Sequence, residues 1–400
     1  MRKRLFLFTE MYPYGHGETF LTQELEELSS QFETVFIIPN HNHQVIRKLP
    51  ENVELINIEF DNNASLSSTF KNNPRLLFIF LFEIVFSKHR FTYIRQFKQY
   101  LINIAIANSH SRSLRNKINI QENDVLYSYW LNDWAMKLAI LKKWYFKKNH
   151  LVSRIHGYDF DEIQTNNVFH PFRHFILSQY DKIVSVSDYG KQYVQKKYPR
   201  FNNKIFTSHL GNKSQQIITN KQDNYIVVSC SNIIQLKRLD IIIEILKYIK
   251  LPITWIHFGS GELETFLKKQ TEKLPDNIKI DWKGQTKNDK ILEFYSQNTV
   301  SLFVNTSDYE GLPYSMIEAI NFGIPLCGRN ICGIPEIVND QTGILLNSEL
   351  NFQKSAEIIS DFLIHKSHNL EFRKKVKEHF ELHFNAEINY QNFVKQHLKS

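Results

Sequence analysis

Short apolar, β-branched and aromatic runs alternate along the chain with longer segments whose apolar positions recur at helical spacing. That alternation predicts a parallel α/β architecture, because each parallel strand needs a crossover helix, and it argues against a sandwich or a bundle. In the first half the predicted strands are RLFLF (4–8), TVFIIP (34–39), DVLYSYW (124–130), HLVSRIH (150–156) and KIVSVS (182–187). After a polar segment at 212–224 the pattern restarts with YIVVSCS (225–231), ITWIHFGSG (253–261), IKIDWKG (278–284), VSLFVNTS (300–307) and GIPLCG (323–328). This predicts an N-terminal Rossmann-like domain over 1–212, a second over 213–380, and a C-terminal helix over 381–400 returning to the first. No solenoid-period repeat or low-complexity tract interrupts the pattern.

In open α/β sheets ligands sit beyond the carboxyl ends of the strands. Those ends here carry polar and glycine-rich segments: YPYGHGETF, RIHGYDFDE, SVSDYGK, SCSNIIQLKR, HFGSGELE and SDYEGLP. Folding alone does not call for that concentration.

Length and composition narrow the class. A chain of 400 residues fits two domains, and 42% hydrophobic with 22% charged residues is ordinary for a globular protein, which argues against wholesale disorder. The net charge of +8 points to an anionic partner without naming it. Three cysteines, Cys230, Cys327 and Cys332, form no metal-binding or disulfide pattern and suggest a reducing compartment. The apolar stretch Leu5 to Phe8 is too short for a signal peptide. The longest apolar run, Leu76 to Phe86, contains Glu83 and falls short of the ~20 residues that span a bilayer. A cytoplasmic protein without a transmembrane segment is expected.

The stretch SDYEGLPYSMIEAINFGIP (307–325) carries the most specific chemistry. Val304 closes a strand, Pro313 suits the first turn of a helix of about ten residues, and Gly323 before Ile-Pro suits its end. Amides near Gly311, Leu312, Pro313 and Tyr314, with the positive end of the helix dipole, would favour a phosphate. Glu310 before the helix could accept sugar hydroxyls, and Glu318 inside it could hold a ribose diol. Taken singly, Glu318 reads better as an exposed helix residue and Glu310 as a loop charge; it is the pair around Gly-Leu-Pro that points to a site.

EGLPYSMIE resembles the Glu-x7-Glu motif of retaining glycosyltransferases of family 4, and AINFGIPLCGRNICGIPEIVNDQTGILL is similar to its continuation, with Gly333 in the loop after the next strand. The resemblance spans about Tyr225 to Leu346 and is patchier before it. It implies a GT-B fold of two facing Rossmann-like domains and a nucleotide-sugar substrate. In SCSNIIQLKRLD the family's donor-diphosphate lysine falls on Lys237, while the arginine five residues earlier is replaced by Asn232, leaving Arg238 as a candidate substitute. Gly259 and Gly261 match the nucleotide-base loop, although a tight turn explains them as well. His156, before Gly157, resembles the family's His-Gly segment facing the donor sugar.

Between the first strand and helix, Gly17 is a donor-binding candidate, since a glycine there permits close approach of a phosphate, and Gly15 and Glu18 are acceptor-side candidates; also on the acceptor side, Tyr129 and Trp130 offer rings that could stack on sugars or pack as a core edge. Asp159 and Asp161 form an Asp-x-Asp that would suggest a divalent metal in another glycosyltransferase fold; the resemblance to GT-B enzymes and the cation at Lys237 imply no metal and no other cofactor. The segment Arg75–Ala105, with Arg90, Arg95 and Lys98 among bulky apolar residues, fits either an interfacial membrane helix or a buried helix pair with a charged outer face. The resemblance thus implies sugar transfer to an acceptor hydroxyl with His156, Lys237 and Glu310 as catalytic residues. The YPYGHGETF and YSYWLND stretches are similar to bacterial capsule and surface-polysaccharide enzymes, which implies a saccharide or lipid-linked acceptor at the inner face of the cell membrane. A catalytically silent GT-B protein that stabilises a partner, or a sugar-nucleotide epimerase, are the alternatives; no nucleic-acid-binding motif is present.

Overall fold

The computed structural model describes residues 3–15, 18–41, 47–60, 65–160, 169–219 and 224–399. The chain divides into two compact units, one of residues 1–208 with 390–400 and one of residues 209–389.

The first unit is built on a seven-stranded, fully parallel sheet. Its strands are β1 (Leu5–Thr9), β2 (Val35–Pro39), β3 (Val53–Leu55), β4 (Val125–Ser128), β5 (His150–Ile155), β6 (Lys182–Ser185) and β7 (Ile205–Thr207), in the order β3-β2-β1-β4-β5-β6-β7. Central strands covered on both faces need apolar residues throughout: LFLFT of β1 and VLYS of β4 are buried at every position. Parallel pairing sets Leu5 beside Val35 on one side and Val125 on the other. Phe393, Val394 and Leu398 from the C-terminal segment are buried in this core with Leu5, Leu7 and Tyr127, and the His150 ring meets the His397 carbonyl at 2.7 Å.

The same core holds a buried ion pair. Glu24 and Arg154, both fully buried, lie 3.1 Å apart, and the Tyr127 hydroxyl donates to Glu24 at 2.7 Å while accepting from Arg154 Nε at 2.9 Å.

The second unit carries β8 (Tyr225–Cys230), β9 (Ile253–Phe258), β10 (Ile278–Gly284), β11 (Leu302–Asn305), β12 (Leu326–Arg329) and β13 (Gly343–Leu346), all parallel, in the order β10-β9-β8-β11-β12-β13. Numbered within the unit, this is the nucleotide-binding order 3-2-1-4-5-6, whose direction reverses between β8 and β11. Leu302 pairs with Val227 there, so the carboxyl ends of these two strands open a crevice.

Three strands absent from the sequence reading, β3, β7 and β13, all form sheet edges, and β3 and β7 are only three residues long. Edge positions are half solvated, so they lack the continuous apolar run that marks an interior strand.

The segment Arg75–Ala105 forms helices Leu77–Phe86 and Arg90–Arg95 and enters a third, Phe97–Lys117. Its outer face carries both the charges of the buried-pair expectation, with Lys88, Arg90, Arg95 and Lys98 exposed, and apolar side chains that this expectation did not include, with Leu81, Val85, Phe91 and Ile94 exposed beside them. Among the described residues no helix is long and apolar enough to cross a membrane.

Candidate active site

At the reversal point of the second unit, two loops are stitched together. After β8 the chain makes a 3-10 turn at Gln235–Lys237 and passes through Arg238 at φ +49° into helix Leu239–Leu246. After β11, Asp308 N donates to Leu236 O at 2.9 Å and Thr306 Oγ1 to Arg238 O at 2.9 Å. These bonds bring Lys237 to Glu310, with Nζ 2.7 Å from Oε1. Ser307 Oγ and Asn305 Nδ2 donate to the same oxygen at 2.7 and 3.2 Å, leaving Oε2 without a donor among the described residues.

The loop that carries Glu310 is held from the far side as well. Gly333 N donates to Glu310 O at 3.1 Å. A Cβ on Gly333 would stand 1.7 Å from Gly311 O, so only glycine allows this approach. Leu312 and Pro313 are buried, Pro313 caps helix Tyr314–Asn321, and Gly323 at φ +66° ends it. The helix is eight residues long, slightly shorter than its spacing predicts.

Glu318 is not the exposed helix charge that the sequence also allowed. It is 5% exposed and accepts one bond, from Asn288 Nδ2 at 2.6 Å. Burial raises its pKa from 4.5 to about 7, against the pull of the Asn288 bond. Its charge reaches Cys230 and Tyr295, both pushed upward first by their own burial.

The other donor-side residues differ in availability. Arg238 is engaged with Asp240 at 3.0 Å and Asp308 at 3.0 Å, and Arg329 also pairs with Asp308; Arg238 therefore does not stand free in place of the missing arginine. Asn232 is exposed at the end of β8. Gly259 and Gly261 leave space that a neighbouring loop occupies: added Cβ atoms would meet Ser231 O at 1.9 Å and Ile233 O at 2.4 Å. Their lack of side chains is accounted for by loop-on-loop packing, in keeping with the tight-turn reading.

In the first unit, Glu18 and Tyr129 depart from the acceptor-side expectation. Glu18, at φ +54° and 7% exposed, accepts from the amides of Glu10, Met11 and Tyr12 at 3.1, 2.8 and 2.6 Å and from Trp130 Nε1 at 2.6 Å. Its carboxylate organises the loop after β1. Tyr129 is fully buried in the core and offers no face to a sugar. Gly15 adopts φ +62° and its carbonyl accepts from Arg47. Gly17 and Asp161 lie outside the described residues.

His156 is packed 4.2 Å from the Trp130 ring and 5.2 Å from that of Tyr129. Asp159 accepts its backbone N–H and that of Leu131, both at 2.9 Å, and so acts as a pin between two strand ends. Nδ1 of His156 stands 3.6 Å from Asp159, and neither ring nitrogen has a hydrogen-bond partner among the described residues.

Nearby in this unit a cavity of about 820 Å³ is lined by His110, Asn132, Lys137 and His170. Lys137 Nζ donates to Asn40 Oδ1 at 2.7 Å and lies 4.4 Å from the Trp134 ring, and burial lowers its pKa to about 8. No motif marks these residues; the one available signal is a lysine inside the apolar stretch AMKLAIL. Asn288, Asn305 and Ser307, which position the two glutamates, are equally unmarked.

Two parallel nucleotide-binding-type sheets, one in each unit, give the chain the GT-B fold. Residues 212–379 match the family described as glycosyl transferases group 1 and form a domain of that type. The chain is 25% identical over 186 residues to an uncharacterized glycosyltransferase of Haemophilus influenzae, covering 46% of this chain and 51% of the relative, and so spans about half of that relative's length. Among solved structures, TarM superposes with a TM-score of 0.69 at 14% identity over 98% of both chains. The lipopolysaccharide outer core galactosyltransferase WaaB gives 0.68 at 13% identity over 99% of this chain and all of its own. A glycosyltransferase of Rickettsia africae gives 0.65 at 14% identity, covering 99% and 98%.

Proposed function

We propose that the protein is a retaining, family 4 glycosyltransferase that moves a sugar from a nucleotide-sugar donor to an acceptor hydroxyl in bacterial surface-polysaccharide assembly. The observation that carries the reading is the Lys237–Glu310 pair at the β8/β11 reversal point, one loop before a helix N-terminus. An ammonium has three donors. Lys237 spends one on Glu310 and keeps the others for the oxygens of a leaving diphosphate, while Oε2 of Glu310 accepts from a sugar hydroxyl. Glu318 takes the ribose diol, and His156 uses a ring nitrogen that has no hydrogen-bond partner among the described residues on a sugar hydroxyl.

In the proposed reaction the bond from the anomeric carbon to the diphosphate oxygen breaks, and the bond to the acceptor oxygen forms on the same face. The acceptor proton passes to the departing phosphate oxygen. The protein's contribution is orientation and charge stabilisation of the leaving group, with Lys237 and the helix-end amides supplying what a metal supplies elsewhere. Catalysis is therefore metal-independent. The acceptor is a saccharide or a lipid-linked sugar, met on the cytoplasmic side of the membrane.

Structures of HepE from Anabaena with UDP-glucose and of TarM with UDP make uridine donors the first probes. The test is a melting-temperature screen against UDP-, GDP- and CMP-sugars without metal, since a ligand specific to the folded state must raise it. A selective shift that Glu318→Ala removes supports the donor site. No shift with any donor at millimolar concentration overturns it in favour of a silent, partner-stabilising protein, the reading that exposed Asn232 in the arginine position favours.

A further inference from the structure

Helix Leu77–Phe86 is amphipathic in an inverted sense. Its buried positions are Ile79 and Glu83, and Glu83 is satisfied inside by the Phe175 amide at 2.6 Å and His174 at 3.3 Å. Its outward positions are apolar: Leu77 is 40% exposed, Leu81 58% and Val85 70%. The next helix, Arg90–Arg95, buries Tyr93 and exposes Phe91 at 72% and Ile94 at 53%. With Phe78, Phe86 and Phe97, this one segment holds eight of the seventeen large exposed apolar residues described in the chain. Scattered exposed apolar side chains are normal, but a contiguous group of this kind marks an interaction surface.

The charge around it has one sign. Residues 65–117 contain nine cations, Lys71, Arg75, Lys88, Arg90, Arg95, Lys98, Arg112, Arg115 and Lys117, and one acid, Glu83, which is buried. Cations lie directly over the exposed rings: Arg90 5.3 Å from Phe91, Arg200 4.3 Å from Phe86 and Lys143 5.0 Å from Phe78. At the edge of the group a pocket of about 250 Å³ is lined by Lys88, His89, Lys197 and Arg200.

We infer that this surface docks the protein on an anionic lipid bilayer, with the exposed apolar side chains entering the acyl boundary and the cations meeting the headgroups. An apolar face ringed by lysine and arginine, with no exposed acid among them, is what an interfacial element requires. At 1.5 Å per residue the ten-residue helix is about 15 Å long, half the ~30 Å hydrocarbon core, so it lies on the membrane rather than across it. A second copy of the chain is a poorer occupant, because two such surfaces would bring like charges together. The inference is independent of the donor-site reading, since docking needs no sugar nucleotide.

The test is co-sedimentation of the full chain with phosphatidylcholine vesicles with and without phosphatidylglycerol. Binding to the anionic vesicles is expected to exceed that to the neutral ones by roughly tenfold or more and to fall with salt. Leu81→Ser with Val85→Ser, and separately Arg90→Glu with Arg95→Glu and Lys98→Glu, should each abolish it while leaving the melting temperature unchanged, because every one of these side chains is exposed. Equal binding to both vesicle types, no binding, or binding that both variants retain overturns the proposal. A solution dimer that Leu81→Ser with Val85→Ser dissociates, without vesicle binding by the parent chain, assigns the surface to a second copy instead.

Discussion

Lys237 Nζ stands 2.7 Å from Oε1 of Glu310, joining a residue one turn after β8 to one five positions beyond β11. The pair is partly shielded, with side chains 22% and 12% exposed, and two further donors fix its carboxylate. A cation held in place before the substrate arrives costs no reorganisation when charge develops on a leaving group.

Replacing Lys237 by alanine is therefore expected to lower turnover roughly a hundredfold to a thousandfold, the range for losing one preorganised donor to a developing anion. Glu310→Ala should fall as far, since it both releases Lys237 and removes the hydroxyl acceptor. Steady-state kinetics with the donor that shifts the melting temperature checks this. Turnover within about twofold of the parent in both variants corresponds to well under ~1 kcal/mol and removes these residues from the mechanism.

Donor affinity should depend on pH through Glu318. Its pKa in the fold, about 7, lies above the ordinary 4.5, so the protonated acid is the favoured form. The stability this contributes is complete below pH 4.5 and lost as pH rises through 7. A ribose diol donating to the carboxylate favours the ionised form, so binding releases a proton and affinity rises between about pH 6 and 8. Calorimetric titration with a sugar-nucleotide diester, which does not itself titrate there, should show the slope in the parent and lose it in Glu318→Gln. An identical slope in both would exclude Glu318 from the contact.

Chelation should leave the enzyme unaffected. Activity measured after exhaustive EDTA treatment is expected to match the untreated protein under the proposed mechanism, in which Lys237 and helix-end amides carry the charge. Loss that Mn²⁺ or Mg²⁺ restores would show a metal requirement.

Gly333→Ala should uncouple the loop that carries Glu310. The new Cβ would fall 1.7 Å from Gly311 O, so the backbone must shift and donor binding should disappear. Gly284→Ala is the control: unlike Gly333, which has φ −85°, it sits at positive φ, +64°, but nothing lies within 4 Å of an added Cβ, so about 1–2 kcal/mol of conformational strain is its only cost. Donor-induced melting shifts, compared between the two, separate a local effect on the site from general destabilisation.

Cutting the buried pair in the first unit should be far costlier than cutting a surface one. Glu24→Ala leaves Arg154 charged and buried, at about 3–5 kcal/mol. Glu122→Ala removes an exposed partner of Lys148, 73% and 71% exposed, at under ~1 kcal/mol. Denaturant midpoints distinguish the two.

Interior strands and the donor loop were visible in the sequence because both follow from contiguous residues. The runs LFLF and VVS are apolar enough to demand burial on both faces, and EGLPYSMIE is a local signature. Tyr129 and Glu18 were misplaced because their surroundings come from distant segments: the bond from Trp130 to Glu18 spans 112 positions. Burial of Glu318 is not legible in the sequence, because Ser315, Glu318 and Asn321 recur at helical spacing and read as a polar face, yet Glu318 and Asn321 are both buried. For Lys137 the sequence offers only a lysine inside the apolar stretch AMKLAIL and nothing of its cavity, which is assembled from five separate stretches of chain.

The return of Phe393, Val394 and Leu398 into the first unit has a bearing on biosynthesis. A ribosome releases the chain from its amino end, and domains generally fold as they emerge. Here the sheet of the first unit has a gap in its packing until Phe393, Val394 and Leu398 are made, whereas the second unit is complete at residue 389. The first unit thus finishes folding after the second although most of it is made earlier, and a nascent chain stalled short of Phe393 would display an unfinished apolar surface beside Tyr127 to the quality-control machinery.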